Sequence, residues 1–97
     1  MKRKKTTYER VYCKDGFSVS VQAGDGFYCA PRNDIGPYYE LELGYPSFPE
    51  ELLIGYAEDP DNPTGTVYAY VPSSLVWDII AKHGYIKEGE MPKTSLF

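Results

Sequence analysis

The chain has 97 residues, a formal net charge of -4 and an apolar fraction of 42%, which suit one small globular domain. No apolar run approaches the roughly 20 residues that a membrane helix needs, so the sequence predicts no membrane span. No apolar stretch follows the basic N-terminus, so it predicts no secretory signal either. We therefore expect a cytoplasmic protein with Cys13 and Cys29 reduced; a disulfide between them is the alternative in an oxidising compartment.

Charge is distributed unevenly along the chain. Residues 33–81 contain nine Asp or Glu, no Lys or Arg, and six of the ten tyrosines. An acidic surface repels nucleic acid and anionic lipid, whereas tyrosine is enriched at protein interfaces, so this stretch favours a protein partner with a basic face. All ten bases lie elsewhere, and four of them form a run that we expect to belong to a disordered tail, residues 1–7: Lys2, Arg3, Lys4 and Lys5.

The first predicted element is a β-hairpin formed by residues 8–13 and 17–22. An Asp-Gly pair between such segments is a strong hairpin signal. With Asp15 and Gly16 as a two-residue loop, Tyr12 lies opposite Val19. Alternation along the second strand then predicts core positions for Phe17, Val19 and Val21, and solvent positions for Ser18, Ser20 and Gln22.

The next predicted elements are a short strand over residues 27–30, a polar loop, and a strand over residues 38–43. This second strand has the clearest alternation in the chain, which is typical of a half-buried antiparallel strand. The pattern predicts Tyr39, Leu41 and Leu43 in the core, and Tyr38, Glu40 and Glu42 on the outer side.

Ser47 and Glu50 have the spacing of a capping box and predict a short helix from residue 47 to about 57. This helix would bury Leu52, Leu53 and Tyr56. Residues 58–65 predict a turn-rich loop. Its oxygen ligands Asp59, Asp61 and Asn62 do not have the spacing of a calcium loop, so we interpret this segment as a solvated turn.

The last regular elements are a strand over residues 67–71 and a helix that starts at Pro72. The strand places Tyr68 and Tyr70 on one face, inward or outward. The helix has an apolar stripe of Leu75, Val76, Ile79 and Ile80. Gly84 supplies its left-handed stop, with Tyr85 placed for a Schellman arrangement. Residues 87–97 have no pattern and predict a loose tail.

Together these elements predict one α+β domain over residues 8–86. We expect a small antiparallel sheet of four to five strands packed against one or two helices, in the order β-β-β-β-α-β-α. Strand order beyond the first hairpin stays open. A free sheet edge and exposed tyrosines would permit a homodimer.

The residue inventory argues against an enzyme. His83 is the only histidine, and near a helix end such a residue typically interacts with terminal carbonyls or packs. One His and two separated Cys do not form a usual zinc set. Glu40 and Glu42 are expected on an exposed face, where nothing would shift their acidities. We therefore predict no catalytic residue, no metal and no cofactor.

Two binding sites follow from these patterns. In the preferred hypothesis, carboxylates and tyrosines on a common surface bind a basic partner: Tyr38, Glu40, Glu42, Glu58, Asp59, Asp61, Tyr68 and Tyr70. In the alternative, Arg32 at the border of the acidic stretch binds phosphate while tyrosines stack on a base, and the site comprises Tyr28, Arg32, Asn33 and Tyr38. Simpler roles also fit: a salt bridge from Arg32 to Asp34 or Glu40, and sheet packing for the tyrosines.

Five segments resemble a group of small uncharacterised proteins from tailed phages and prophages, over roughly residues 12 to 86. They are Asp15–Ala23, Tyr28–Arg32, Tyr39–Ser47, Tyr68–Pro72 and Lys82-His83-Gly84. The resemblance implies an accessory gene of a mobile element, acting in the host cytoplasm. Small acidic accessory proteins of that kind often disable host defences, so the preferred hypothesis is an inhibitor that occupies a basic nucleic-acid-binding groove of a host defence complex, in the manner of an anti-CRISPR protein. The alternative is a sponge that sequesters a nucleotide second messenger of host defence. No functional residue carries over from that group.

Overall fold

The computed structural model describes residues 7–95. It contains the strands β1 (Val11–Cys13), β2 (Ser18–Gln22), β3 (Glu40–Gly44), β4 (Val67–Pro72) and β5 (Ile86–Glu88), a 3₁₀ helix (Glu51–Tyr56) and one α-helix, α1 (Ser73–Lys82). The strands form one antiparallel sheet in the spatial order β4-β3-β2-β1-β5. The predicted α+β class and antiparallel sheet are confirmed. The order along the chain differs, because three strands precede the 3₁₀ helix and one follows α1.

The β1–β2 hairpin has a three-residue loop instead of the predicted two. Cys13 and Phe17 close the loop with a backbone hydrogen bond of 2.7 Å. Gly16 occupies the left-handed region at φ 100°, as three-residue hairpin loops require. The longer loop shifts the register by one residue, so that Val11 pairs with Val19. The predicted pairing of Tyr12 with Val19 is therefore wrong.

One face of the sheet packs against α1 and the 3₁₀ helix to form the core. The predicted stripe of α1 is confirmed, since Val76, Ile79 and Ile80 are buried and Leu75 is partly buried. Gly84 ends the helix at φ 92°. The Tyr85 N–H donates to the Ile80 carbonyl at 2.8 Å, which is the backbone pattern of a Schellman motif. Within residues 7–95, no helix has the length and apolar character needed to cross a bilayer.

A β-bulge in β4 separates two tyrosines that the sequence places on one face. Leu41 pairs with Val71 and Leu43 with Tyr68, so two β4 residues lie opposite the single β3 residue between the leucines. Because of the extra residue, Tyr68 and Val71 both face the core. Tyr70 lies in the bulge at φ 54° and is exposed. The predicted shared face is therefore wrong.

The predicted sides of the strand over residues 38–43 are confirmed for the two leucines and wrong for the two tyrosines. Leu41 and Leu43 are buried, but Tyr38 is 2% exposed and Tyr39 49%. The regular strand begins only at Glu40, and before it Tyr38 pairs with Thr94 in a parallel bridge. This long-range contact sets the direction of the Tyr38 ring, which strand alternation cannot predict. Residues 27–30 also form no strand, apart from one bridge between Ala30 and Glu40.

The predicted helix over residues 47–57 is shorter and is capped by a different residue. The Ser47 hydroxyl accepts the Ser18 N–H at 2.9 Å. Glu50 caps the 3₁₀ helix instead, because its Oε2 accepts the Leu52 N–H at 3.0 Å. Of the residues predicted to be buried, Leu53 is fully buried and Tyr56 partly, whereas Leu52 is 42% exposed.

The C-terminal segment is ordered as far as residue 95, so the predicted loose tail is wrong for that part. β5 pairs with β1, and the Trp77 Nε1–H donates to Thr94 Oγ1 at 3.1 Å. The predicted basic run at residues 2–5 lies outside the described residues, as do residues 96 and 97.

Two of the three polar side chains that alternation places in solvent on β2 are buried. Gln22 is bonded to both the N–H and the carbonyl of Tyr8, each at 2.8 Å. Arg10 donates to the Ser18 hydroxyl at 2.9 Å. The chain before β1 therefore covers part of this face, and Ser18 and Gln22 are 5% and 8% exposed.

Candidate partner-binding surface

The outer face of the sheet is the side opposite the core. Alternation along β3 places Glu40 and Glu42 on it, because Leu41 and Leu43 point into the core. Both carboxylates are half-buried. Tyr12 belongs to the same face at β1 and is 46% exposed. The predicted outer position of the two glutamates is confirmed.

Tyr28 and Tyr70 join the two glutamates on this side. The Tyr28 N–H donates to Glu42 Oε1 at 2.9 Å, and its carbonyl accepts the Tyr70 N–H at 3.1 Å. The loop that carries Tyr28 therefore folds back over the outer face beside β4. The two rings lie 6.0 Å apart between centroids with a 40° tilt. They are 40% and 42% exposed, so an apolar pair remains accessible beside carboxylates. We call Tyr28, Glu40, Glu42 and Tyr70 the tyrosine–glutamate patch.

The position of Tyr70 depends on the β4 bulge. A φ of 54° is uncommon for a residue with a large side chain and is tolerated where the surroundings fix it. Here the flanking residues Tyr68 and Val71 are anchored in the core at 0% exposure. The bulge therefore turns the ring of Tyr70 away from the core and towards Tyr28.

Arg32 lies at the border of the patch. Its guanidinium carbon is 5.7 Å from the centroid of the Tyr28 ring, a cation–π distance. Its Nε–H donates to the Asp25 carbonyl at 3.2 Å. Between residues 7 and 95 the ion pairs are those of Lys82 and His83, and Arg32 takes part in none of them. The predicted salt bridge from Arg32 to Asp34 or Glu40 is therefore wrong.

Tyr38 and Tyr68 do not belong to any accessible surface, although both were predicted binding residues. They are 2% and 0% exposed, and burial raises the pKa of both phenols. The Tyr38 hydroxyl donates to the carbonyl of Asn33 at 2.8 Å, and the Tyr68 hydroxyl donates to the carbonyl of Pro63. Asn33 itself is exposed, and its side-chain oxygen accepts the N–H groups of residues 35 and 36.

The remaining predicted acids, Glu58, Asp59 and Asp61, lie at a different place on the sheet. All three are exposed. The Glu58 N–H donates to the Val67 carbonyl, at the start of β4. Glu40 pairs with Pro72, at its other end. These two ends lie opposite Gly44 and Glu40 of β3, which are four residue steps or roughly 13 Å apart at about 3.3 Å per residue. The structure therefore gathers Glu40, Glu42, Tyr28 and Tyr70, and places the acidic loop apart from them.

An ion cluster around the buried His83 is the principal feature that sequence reasoning missed. His83 Nδ1 lies 2.6 Å from Asp15 Oδ2, and Nε2 lies 2.7 Å from Glu50 Oε1. Lys82 Nζ donates to Glu50 Oε2 at 2.8 Å. In the sequence, Asp15 belongs to the pattern of a hairpin turn and Glu50 to that of a helix cap. No local pattern indicates that both side chains contact His83.

The cluster shifts the acidity of its members. Burial alone lowers the pKa of His83, but hydrogen bonds to Glu50 and Asp15 outweigh it, and the net pKa lies above the usual value. Burial alone raises the pKa of Glu50, but hydrogen bonds from Lys82 and His83 outweigh it, and the net pKa is lowered. Both histidine nitrogens are thus engaged with carboxylates in a buried place.

The other residues capable of chemistry are buried or dispersed. Cys13 and Cys29 are free thiols, 2% and 1% exposed, and burial is the main cause that raises the pKa of each. In the described part of the chain, no three His, Cys, Asp or Glu side chains are grouped so as to hold a metal ion.

Comparisons with protein-family models, with curated proteins and with solved structures found no match to this chain.

Proposed function

We propose that this protein is a non-catalytic binding protein whose tyrosine–glutamate patch contacts a basic face of a partner protein. The observation that carries the proposal is the contact of Tyr28 with Glu42 and Tyr70, which places two exposed rings beside carboxylates on one sheet face. Tyrosine contributes large contact area at low entropic cost and is common among interface hot spots.

The charge of the patch supports a cationic partner. Glu40 and Glu42 form no ion pair within residues 7–95. Arg32 is the one base in the loop that borders the patch, and two acids of the same loop, Asp25 and Asp34, accompany it. A basic surface would bring positive charge to Glu40 and Glu42, and the field of these two carboxylates would raise the association rate. Only a large partner would contact both the tyrosine–glutamate patch and the acidic loop of Glu58, Asp59 and Asp61.

The chemistry of the remaining residues supports a role without catalysis. A general base needs an accessible nitrogen, but His83 is buried and both of its nitrogens lie against carboxylate oxygens. A nucleophilic cysteine needs a lowered pKa and access, and burial gives both thiols the opposite properties. We therefore infer that the protein acts by occupying a surface.

The biological setting follows from the resemblance of residues 12 to 86 to phage and prophage proteins. In that setting the partner is a host defence component, and the basic face is the groove in which the component binds nucleic acid. The protein would inhibit it in the manner of an anti-CRISPR protein, in the host cytoplasm, without a membrane or direct nucleic-acid contact. A homodimer is compatible with this proposal.

Capture of bacterial proteins on the immobilised chain, followed by mass spectrometry, would provide candidate partners. The test is the association rate of a purified candidate with Glu40→Lys/Glu42→Gln, which changes the charge of the patch by +3. The matched control is Glu88→Lys/Asp78→Asn, with the same charge change on β5 and α1. We expect the patch variant to slow association by about tenfold at low salt, and the difference to shrink as salt rises. Equal rates for the two variants would contradict the proposal.

A second candidate function is sequestration of a nucleotide, and the Arg32 geometry favours it. Arg32 is exposed, lies over the Tyr28 ring and has no carboxylate partner among the described residues. Its free N–H groups are suited to phosphate, and Tyr28 and Tyr70 offer π-faces to a base. The buried Tyr38 leaves this site with fewer contacts than the sequence predicts.

Arg32→Ala distinguishes the two functions because its expected effects have opposite signs. A nucleotide sponge would lose the ligand-dependent rise in melting temperature seen with a panel of cyclic and linear nucleotides. A binder of basic proteins would associate faster with its partner, since a repelling charge has been removed. A panel that leaves the wild-type melting temperature unchanged would exclude the sponge.

A further inference from the structure

Three separate segments of the chain meet at His83. Asp15 comes from the β1–β2 loop, Glu50 precedes the 3₁₀ helix, and His83 follows α1. The Phe17 ring stacks on the imidazole at 4.1 Å with an interplanar angle of 12°. The loop is also tied to this end of α1 by the N–H groups of residues 14 and 15, which donate to the carbonyls of Tyr85 and His83 at 3.1 and 3.2 Å.

The two short contacts determine the protonation state of His83. Carboxylate oxygens accept hydrogen bonds and cannot donate them, so both ring nitrogens must carry a proton to satisfy both contacts. With Asp15 and Glu50 both ionised, these contacts make His83 an imidazolium. Its charge and that of Lys82 balance the charges of Asp15 and Glu50, so the four-residue cluster is neutral as a whole.

The two carboxylates differ in their access to water. The Glu50 side chain is 1% exposed and the Asp15 side chain 45%. Neutral imidazole has one N–H, which can serve only one of them. Loss of the imidazole bond would leave Glu50 Oε1 without its donor in a buried place, although Oε2 keeps Lys82 and Leu52, and this costs more free energy than letting Asp15 turn into water. The remaining proton should therefore stay on Nε2, against Glu50, and the bond to Asp15 should break.

We propose that the proton on His83 clamps the tip of the β1–β2 hairpin to the end of α1, and that its loss frees this tip while Glu50 keeps its bond to the ring. The hydrogen bonds of His83 hold the proton more firmly than in a free histidine. The clamp is thus closed below the raised pKa of His83 and opens as the pH rises through it.

Other charged groups around the ring modulate the clamp without replacing it. Lys14 lies beside Asp15 and packs near Gly84. Glu51 acts on Lys82, and the buried Cys13 thiol lies within the field of Asp15. A Cys13 thiolate formed at high pH would repel Asp15 and act in the same direction as loss of the histidine proton.

The direct test is NMR of the full chain, with the His83 ring nitrogens followed through an alkaline titration. We expect both nitrogens to be protonated on the acid side of the titration and the Nε2–H tautomer on its alkaline side. In parallel, the amide protection factors of residues 14 and 15 should fall, by up to about tenfold for each unit by which the histidine pKa is raised. Protection of the Leu52 amide, which donates to Glu50, should persist. A titration of His83 at or below the pH of a free histidine, the Nδ1–H tautomer, or equal loss at all three amides would overturn the proposal.

Asp15→Asn supplies a variant test that should preserve the fold, since the amide oxygen can still accept the Phe17 N–H. Loss of the carboxylate charge should move the titration of His83 to lower pH and remove the pH-dependent step in protection at residue 14. The control Asp78→Asn removes an exposed acid from α1 and should change neither the titration of His83 nor the pH-dependent protection of the residue 14 amide. An unshifted His83 titration in Asp15→Asn would also contradict the clamp. None of these readouts involves the tyrosine–glutamate patch.

Discussion

Leu53→Ala should destabilise the protein much more than the same substitution at the neighbouring Leu52. Leu53 is 0% exposed and belongs to the core, whereas Leu52 is 42% exposed. Truncation of a fully buried leucine costs about 2–5 kcal/mol, because transfer free energy is lost and a cavity remains. At a largely exposed site the cost should stay below about 1 kcal/mol.

Urea unfolding followed by the fluorescence of Trp77, the single tryptophan, measures both variants. For a domain of this size, 3 kcal/mol corresponds to a fall in Tm of roughly 12–24 °C. Glu51→Ala serves as a surface control in the same helix. Equal costs at residues 52 and 53 would refute the 3₁₀ geometry, because a regular amphipathic helix buries both leucines.

Three other outcomes are expected. Gly89→Ala should be strongly destabilising in thermal unfolding, since Gly89 has φ 105° and an added Cβ would overlap a backbone carbonyl of the chain before β1. The control Gly55→Ala should be nearly neutral, because no atom lies within 4 Å of the added Cβ. Similar losses of stability in the two variants would contradict the β1–β5 geometry. Stability should be highest at mildly acidic pH. The raised pKa of His83 contributes stability that is fully present below pH about 6.5 and is lost as the pH rises through the pKa of the folded state. The lowered pKa of Glu50 contributes stability that is present above pH about 4.3 and is lost as the pH falls through the pKa of the folded state. Urea midpoints from pH about 3 to 10 that show neither decline would refute the ion cluster. Cys13 and Cys29 should react slowly with a thiol reagent in the native state and rapidly in urea, because both are buried. Rapid reaction of the native protein with the reagent would show that the two thiols are not buried.

The parts of the fold that follow local periodicity were predictable from sequence. α1 was predictable because an apolar stripe at helical spacing, with Gly84 after it, determines which face packs and where the helix ends. The burial of Leu41 and Leu43 in β3 was predictable because, in a half-buried strand, strict alternation of apolar and polar residues places the apolar ones on the core face.

The tyrosines were not predictable because their directions depend on non-local geometry. A single extra residue in β4 turns Tyr68 inward and leaves Tyr70 outside. Tyr38 is buried through its bridge to Thr94, in a segment that has no pattern of its own. The candidate site was therefore only half predictable: its glutamates follow alternation, whereas the pairing of Tyr28 with Tyr70 requires the fold.

The most direct test of the proposed binding surface is the Kd of a captured partner for Tyr70→Asn compared with Tyr85→Asn. Both tyrosines have positive φ, 54° and 74°, which Asn tolerates, and both are exposed, at 42% and 61%. Tyr70 belongs to the patch and Tyr85 follows α1. A hot-spot tyrosine contributes about 2 kcal/mol or more, so we expect Tyr70→Asn to weaken binding by roughly 30-fold and Tyr85→Asn to leave it unchanged. Unchanged affinity for Tyr70→Asn, or an equal loss in both variants, would contradict the assignment of the outer face as the binding surface.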